Sequence, residues 1–307
     1  MSNYIKLWVM GSFLALSVII VKYLMQLGVH PIHLAMFQAI GSAIFIASFG
    51  LKGILISLKT NVSYYVWASL LGFTIPQLAV FYSVEHVGVG VVSLAYAFPL
   101  IFTYFLSTFL SNVKVQKKPV FFLLCAFLGS LLFLYKPDVI NINQEHRVWL
   151  LLLCVAPWVI SFANIYRSSH WPQKVPTHHV ALLTNIMSFL SYGLFAVFES
   201  PELPELSDIG LKQYLAVFIF MLLASIGQYL LFSLQKTSTP AFVGQTGSIT
   251  AFCGGVLGFL VFGESYQVST FIGSVLILFG VAKFSQHQLV QQESSSKLSG
   301  ARSFLNQ

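Results

Sequence analysis

The chain of 307 residues carries its candidate chemical groups as isolated amides, hydroxyls and aromatic rings inside long apolar segments. Polar side chains at membrane depth are energetically costly, so they tend to face a cavity or a partner helix. The deep polar and amphipathic side chains are Gln38, Ser42, Gln77, Tyr96, Tyr104, Trp158, Ser161, Asn164, Asn185, Ser188, Tyr192, Gln228, Tyr229, Gln245, Thr246 and Ser248. Such groups either bind a neutral or zwitterionic solute by hydrogen bonds or join neighbouring helices. The sequence leaves both alternatives open for each residue.

Acid–base, nucleophilic and metal chemistry find little support among these residues. No Asp or Glu lies near the middle of an apolar segment, and no histidine lies at the depth of the pairs Gly41-Ser42, Gly129-Ser130 and Gly247-Ser248. The three cysteines lack the spacing of a disulfide framework or a metal site. We therefore predict that the chain is not an enzyme and that it uses no cofactor and no metal. An intramembrane enzyme is the weaker alternative.

The composition explains why these polar groups are so widely separated. Hydrophobic residues make up 57% of the chain and charged residues 8%, whereas a soluble domain has about 25% charged residues. A spanning helix needs about 20 apolar residues, so the sequence predicts an all-α integral membrane protein. Ten spans are predicted: Tyr4 to Leu27, Pro31 to Phe49, Tyr64 to Ser83, Gly88 to Phe109, Val120 to Tyr135, Val148 to Tyr166, His179 to Phe198, Leu211 to Leu234, Ala241 to Phe262 and Val268 to Phe284.

The positions of the basic residues predict the orientation of the spans. With the N-terminus in the cytoplasm, most of the 16 Lys and Arg residues fall in cytoplasmic segments, Arg167 among them, in agreement with the positive-inside rule. An even number of spans then puts both termini in the cytoplasm. Lys22 is the one basic residue well inside an apolar run. It either extends to the outer interface or binds a substrate carboxylate. Because the basic residues lie in short loops between spans, the net charge of +7 indicates no nucleic-acid partner.

The two halves of the chain share a layout. Pro31-Ile32-His33 opens span two and Pro176-Thr177-His178 opens span seven, and a helix–turn–helix closes each half. The predicted turns are Glu85 to Gly90 and Gln235 to Thr239, and Gln77 and Gln228 occupy nearly matching places before them. Five spans is an odd number, so the second repeat is predicted to be inverted relative to the first. Inverted repeats place the binding site of a transporter between its halves.

Several motifs resemble the drug/metabolite transporter superfamily, in particular its EamA-type bacterial exporters. They are Gly263-Glu264, the glycine-rich stretch Phe271-Ile272-Gly273-Ser274 through Phe279-Gly280, and Asn164-Ile165-Tyr166-Arg167. The chain departs from the family pattern at Met10-Gly11-Ser12, where Trp-Gly is frequent, at Gln38, where Arg is frequent, and at Lys114, where Glu is common. The resemblance implies a ten-helix carrier that works by alternating access and exports amino acids or related metabolites.

The resemblance also selects among the deep polar residues. It implies a cavity lined mainly by spans one, three, four, six, eight and nine, and on that basis the predicted substrate-binding residues are Gln77, Tyr96, Trp158, Gln228 and Gln245. The predicted domains are a first five-helix repeat at 1–136, a second at 147–284, and a disordered or weakly helical cytoplasmic tail at 285–307.

The function predicted from sequence is a secondary transporter of the inner membrane that exports a small zwitterionic or neutral metabolite. Import or exchange of a metabolite is the alternative. The expected partners are this small-molecule substrate and the lipid bilayer, and the protein is expected to be a monomer or a homodimer.

Overall fold

The computed structural model describes residues 2–110, 116–134, 146–199, 210–262 and 268–305, and within these ranges the chain is helical with no strand. The helices are α1 (Asn3–Gln26), α2 (Pro31–Ala47), α3 (Ile54–Ser69), α4 (Ile75–Ala95), α5 (Phe98–Leu110), α6 (Lys117–Leu134), α7 (His146–Ser169), α8 (Thr177–Glu199), α9 (Leu211–Thr237), α10 (Pro240–Gly244), α11 (Thr246–Phe262) and α12 (Val268–Leu305). A π-helical segment, Leu70–Thr74, joins α3 to α4. The predicted all-α class is confirmed for the described residues.

Six stretches of the described chain are helical, long and apolar enough to cross a membrane. They are Asn3–Gln26, Ile54–Val84, Val148–Ser169, Thr177–Glu199, Leu211–Thr237 and Val268–His287. Two shorter apolar helices, Pro31–Ala47 and Phe98–Leu110, accompany them. The chain is therefore a multi-pass membrane protein.

Local sequence signals set the ends of α1 and the start of α2. The Ser2 hydroxyl accepts a hydrogen bond from the Ile5 amide and caps the start of α1. At the other end, Gly28 has a φ of 83° and its amide donates to the Met25 carbonyl, while the Val29 amide donates to the Leu24 carbonyl. This is the Schellman arrangement, which needs a glycine at the left-handed position. Pro31 then opens α2, because a proline fits the first turn of a helix.

The halves of the chain pack mainly against each other. The most extensive helix contacts are α6 with α12, α1 with α9, α4 with α7, α2 with α8, α1 with α11 and α2 with α9. Each of these pairs joins a helix before residue 135 to one after residue 146. The interface between the halves therefore forms the interior of the molecule.

Helices α6 and α12 meet through glycines on both sides. A Cβ on Gly129 of α6 would lie 2.7 Å from the Ile277 amide nitrogen, and a Cβ on Gly280 of α12 would lie 2.5 Å from the Ala126 amide nitrogen. Small residues let membrane helices approach until their backbones touch, and association then rests on van der Waals packing. The α6–α12 pair is thus a backbone-to-backbone contact.

A second close approach brings two breaks in the helices together. Tyr96 and Ala97 separate α4 from α5, and Gln245 separates α10 from α11. A Cβ on Gly247 would overlap the Tyr96 carbonyl, and one on Gly244 would lie 3.2 Å from the Leu100 Cα. The broken helix of one half therefore crosses that of the other at glycines.

The structure differs from the sequence prediction at both of these places. The turn predicted at Glu85 to Gly90 is wrong, because α4 continues to Ala95. A helix satisfies its own backbone hydrogen bonds where no water is present, and the chain breaks only just before Pro99, which suits the first turn of α5. The predicted span from Ala241 to Phe262 is two helices rather than one.

Two further predictions concern segments near the C-terminus. Glu264 and its neighbours at 263–267 lie outside the described residues. The helix α12 continues past the predicted span end at Phe284 as far as Leu305.

The glycine crossing makes a prediction about stability. Gly247→Ala should lower the melting temperature of the purified protein, because the added methyl group overlaps the Tyr96 carbonyl and the backbones must separate. Gly193→Ala on α8 is the matched control, since a Cβ there meets no atom within 4 Å and alanine favours a helix by about 1 kcal/mol over glycine. A melting curve in detergent measures both variants. Equal melting temperatures for the two would contradict the crossing.

Candidate functional site

A cavity lies between the two halves of the molecule. Its walls come from α1, α2, α4, α5, α7, α9, α10 and α11 and from the π-helical segment. The lining residues are Met10, Phe13, Leu14, Ser17, Gln38, Gly72, Phe73, Pro76, Gln77, Tyr96, Pro99, Ile160, Asn164, Arg167, Leu223, Ala224, Gly227, Gln228, Leu231, Val243, Gly244, Thr246 and Gly247. The lining is mostly apolar with a few polar groups, as in small-molecule sites.

The crossing of the broken helices forms one part of the cavity wall. Tyr96 and Pro99 come from the first break, and Gly244, Thr246 and Gly247 come from the second. The Thr246 hydroxyl donates to the Val243 carbonyl at 2.7 Å, which satisfies one backbone group that the break exposes. Irregular backbone at membrane depth is tolerated where it is buried in protein or lines a cavity. The crossing fits both conditions.

Amide side chains supply neutral hydrogen-bonding groups to the cavity. The Gln77 Nε2 donates to Gln38 Oε1 at 2.9 Å and so joins α4 to α2. Gln228 is buried on α9, and its Oε1 has no hydrogen-bond partner within the described part of the chain. An unpaired buried acceptor costs about 1–3 kcal/mol. Gln228 Oε1 is therefore a natural acceptor for a donor group on a solute.

A cation lies in the same wall. Arg167, near the end of α7, is only 2% exposed. Its Nε donates to the Ala163 carbonyl at 3.2 Å and its Nη2 donates to Asn164 Oδ1 at 3.4 Å. The guanidinium carbon lies 5.2 Å from the centre of the Phe73 ring and 5.8 Å from that of Phe232. Both rings lie within the range of cation–π attraction, which partly compensates for the lost hydration of the charge.

Arg167 lacks a carboxylate partner among the residues that the structure describes. Its Nη1 forms no hydrogen bond there, and Glu199 is the one acidic residue whose side chain is described. Glu199 ends α8, accepts a hydrogen bond from the Tyr82 hydroxyl and lies 3.7 Å from His30 Nε2. Glu199 lies at the C-terminal end of α8, whereas Arg167 lies in the last turn of α7, before α8 begins.

Of the five residues predicted from sequence, three lie on the cavity wall, namely Gln77, Tyr96 and Gln228. Trp158 lies elsewhere: it is 49% exposed and stacks on Phe102 with ring centres 4.1 Å apart. The cavity face of α7 carries Ile160, Asn164 and Arg167, and a residue two positions before Ile160 points about 200° away around the helix.

Gln245 also points away from the cavity, although its neighbours line it. Its side chain is fully buried, its Nε2 donates to the Phe242 carbonyl, and its Oε1 accepts from the Ser285 hydroxyl at 3.1 Å. The amide thus connects the second helix break to α12. Whether any of the five residues binds substrate stays a prediction.

Arg167 is a cavity residue that the sequence patterns do not predict as a site residue. The positions of the basic residues assign it to a cytoplasmic segment. In the structure α7 continues to Ser169 and the Arg167 side chain is buried. The signal was present in the spacing, because Ile160, Asn164 and Arg167 follow the i, i+4, i+7 positions of one helix face. Asn164, which was among the deep polar residues, thus marked the face on which Arg167 also lies.

The described residues contain no metal centre. No group of three His, Cys, Asp or Glu side chains comes together within the ranges that the structure describes. The polar chemistry of the cavity is therefore that of amides, hydroxyls and one guanidinium.

These positions predict a pattern of thiol accessibility. In a variant with Cys125, Cys154 and Cys253 changed to alanine, single cysteines at Gln77 and Gln228 should react with a small water-soluble methanethiosulfonate. A cysteine at Gln245 should not react, because that side chain is fully buried. Mass spectrometry of the labelled protein measures the extent of reaction. Labelling at 245 equal to that at 228 would contradict the assigned cavity wall.

Two segments of the chain, residues 3–135 and 147–285, match the family model described as "EamA-like transporter family". One similar solved structure, titled only "Crystal structure of protein", has a TM-score of 0.71 at 19% sequence identity and covers 93% of this chain and 96% of its own. At that identity the likeness shows the fold alone. A comparison with curated proteins gives no match.

Proposed function

Because the chain belongs to the EamA-like transporter family, and is thus a membrane transporter rather than an enzyme, we propose that it is a secondary carrier of the inner membrane. It exports a small organic metabolite, an amino acid or a related zwitterionic or neutral solute. The observation that carries the proposal is the mostly apolar cavity between the halves, with its few polar groups. A solute enclosed there contacts both halves at once, as transport between two repeats requires.

The proposal assigns ten membrane crossings to the chain, arranged as two inverted repeats of five with both termini in the cytoplasm. The helix breaks support this layout, because each half contributes one broken helix to the same crossing. Breaks at corresponding places in the two halves are typical of transporters built from repeats.

Alternating access is proposed because polar contacts join different helices at both ends of the molecule. At one end Asn3 Nδ2 donates to the Ser238 hydroxyl at 3.0 Å and Lys6 Nζ donates to the Ser233 hydroxyl at 2.8 Å. At the other end of α1, His30, Tyr82 and Glu199 form the cluster described above. Opening the cavity to one side would break one set of contacts and leave the other intact.

The proposed solute contacts are Gln77, Tyr96 and Gln228. Gln77→Ala and Gln228→Ala should each lower counterflow in proteoliposomes by roughly 2- to 10-fold, the effect of losing one hydrogen bond. The assay uses a panel of amino acids and small metabolites, with folded protein checked by size-exclusion chromatography. Gln26→Ala is the matched control, because Gln26 is exposed at the end of α1. Unchanged counterflow in both cavity variants would remove these residues from the site.

The same proteoliposomes test the direction of transport. Loading the solute inside vesicles of known protein orientation and following its exit measures export, and the reverse gradient measures import. Equal rates in both directions under equal gradients would favour exchange over an export function, and faster entry than exit would favour import. Running each assay with and without a pH gradient tests coupling to protons.

A further inference from the structure

The cavity contains a buried cation whose charge nothing in the described structure neutralises. Arg167 is 2% exposed, and its two hydrogen bonds go to neutral oxygens, the Ala163 carbonyl and Asn164 Oδ1. Its Nη1 has no partner among the described residues. An arginine in a protein does not lose its proton, so the charge persists in the cavity wall. An ionisable residue inside a membrane is by default a functional-site hypothesis.

We propose that Arg167 is the anion subsite of this cavity and that it binds the carboxylate of the transported solute. The inference rests on the proposed transport function and narrows it, because a neutral solute leaves the guanidinium unpaired. A guanidinium offers two parallel N–H groups to a carboxylate. The solute class is a small organic acid, amino acids included, with one carboxylate and an apolar body.

Asn164 holds the guanidinium on the cavity side of α7. Its Oδ1 accepts from Arg167 Nη2 at 3.4 Å and from Gln235 Nε2 of α9 at 3.3 Å. Both bonds are long, so they orient the arginine without saturating it. Asn164 is thus a positioning residue.

Gly72 leaves space for the Arg167 guanidinium, because it has no side chain. A Cβ there would lie 2.7 Å from both the Cζ and the Nη1 of Arg167. In this conformation Nη1 is covered by the Gly72 backbone, which belongs to the π-helical segment. A turn about the terminal side-chain torsions swings Nη1 from Gly72 toward the cavity, where a carboxylate replaces the contact. Single π-helical turns within helices are frequent at functional sites.

The remainder of the cavity accounts for the apolar body of the solute. Its wall includes Met10, Phe13, Phe73, Ile160 and Leu231. Within the described residues no carboxylate lines the cavity to receive an ammonium group, and Gln228 Oε1 is a neutral acceptor for an N–H donor. The carboxylate therefore dominates recognition.

The test is ligand-induced stabilisation of the purified full-length protein in detergent. The probes share one apolar body: 4-methylpentanoate and leucine carry a carboxylate, and 4-methylpentanamide does not. Both carboxylates should raise the melting temperature of the wild type and the amide should not. Arg167→Gln should weaken the apparent affinity for the carboxylates roughly 10- to 100-fold, the range for a hydrogen bond to a charged group.

Four further measurements serve as controls. Lys236→Gln removes the same charge from an exposed position beside Trp171 and should leave the response unchanged. Arg167→Lys should not restore the stabilisation by the carboxylates, because lysine lacks the planar pair of donors. Arg167→Gln without ligand should melt no lower than the wild type, because the substitution removes the desolvation cost of a buried charge that has no carboxylate partner. Sodium phosphate is the inorganic anion probe.

The outcomes separate this inference from the transport proposal. Absence of stabilisation by either carboxylate, an equal response in Arg167→Gln, or equal stabilisation by phosphate would each overturn the carboxylate subsite. If the protein shows counterflow of a neutral solute and Arg167→Gln does not change that counterflow, the carboxylate subsite is overturned as well. The protein would still be a transporter. Carboxylate stabilisation that depends on Arg167, in a protein that moves no solute across the proteoliposome membrane, would support the subsite and refute the transport function.

Discussion

The contact between Gly247 and the Tyr96 carbonyl sets the geometry of the whole interior. A helix that breaks at membrane depth exposes backbone groups that lipid cannot satisfy. Here the two breaks cover each other, because glycine at 247 and 244 lets α10 and α11 approach the backbone at Tyr96, Pro99 and Leu100. The halves are thereby held at a distance that leaves a cavity beside the crossing. A side chain at position 247 would separate them.

The hydroxyl groups of this protein are largely occupied by their own helices. Ser17, Ser188 and Ser225 each donate to the carbonyl four residues earlier, and Thr184 and Thr250 do the same. Such bonds are a usual way for Ser and Thr to satisfy their polarity within a helix. The groups left for a solute are chiefly the amides of Gln77 and Gln228 and the guanidinium of Arg167. The polar capacity of the cavity is therefore small and concentrated.

Much of the architecture could be predicted from the sequence, because hydropathy and charge placement depend on the bilayer alone. The long apolar runs and the start of α2 at Pro31 follow from local patterns. Gln77 and Gln228, which line one cavity, were selected by the resemblance to the transporter family. The helix break at Tyr96 could not be located in this way, because it depends on Gly247, which lies some 150 residues away in the chain. The burial of Arg167 was hidden for a related reason. A basic residue near the end of an apolar run resembles an interfacial residue until the packing of Gly72 and Phe73 around it is known.

The glycine contact between α6 and α12 restricts the sequence in a different way from the cavity wall. Of the described residues, none on these two helices lines the cavity, and Gly129 and Gly280 are limited by the volume of the opposing backbone. Substitutions on this pair change the fit between the two helices and leave the cavity wall unaltered. Substitutions on α4, α7 and α9 alter the groups that a solute meets. The solute that the protein carries can therefore change by substitutions in the cavity wall while the α6–α12 contact stays the same.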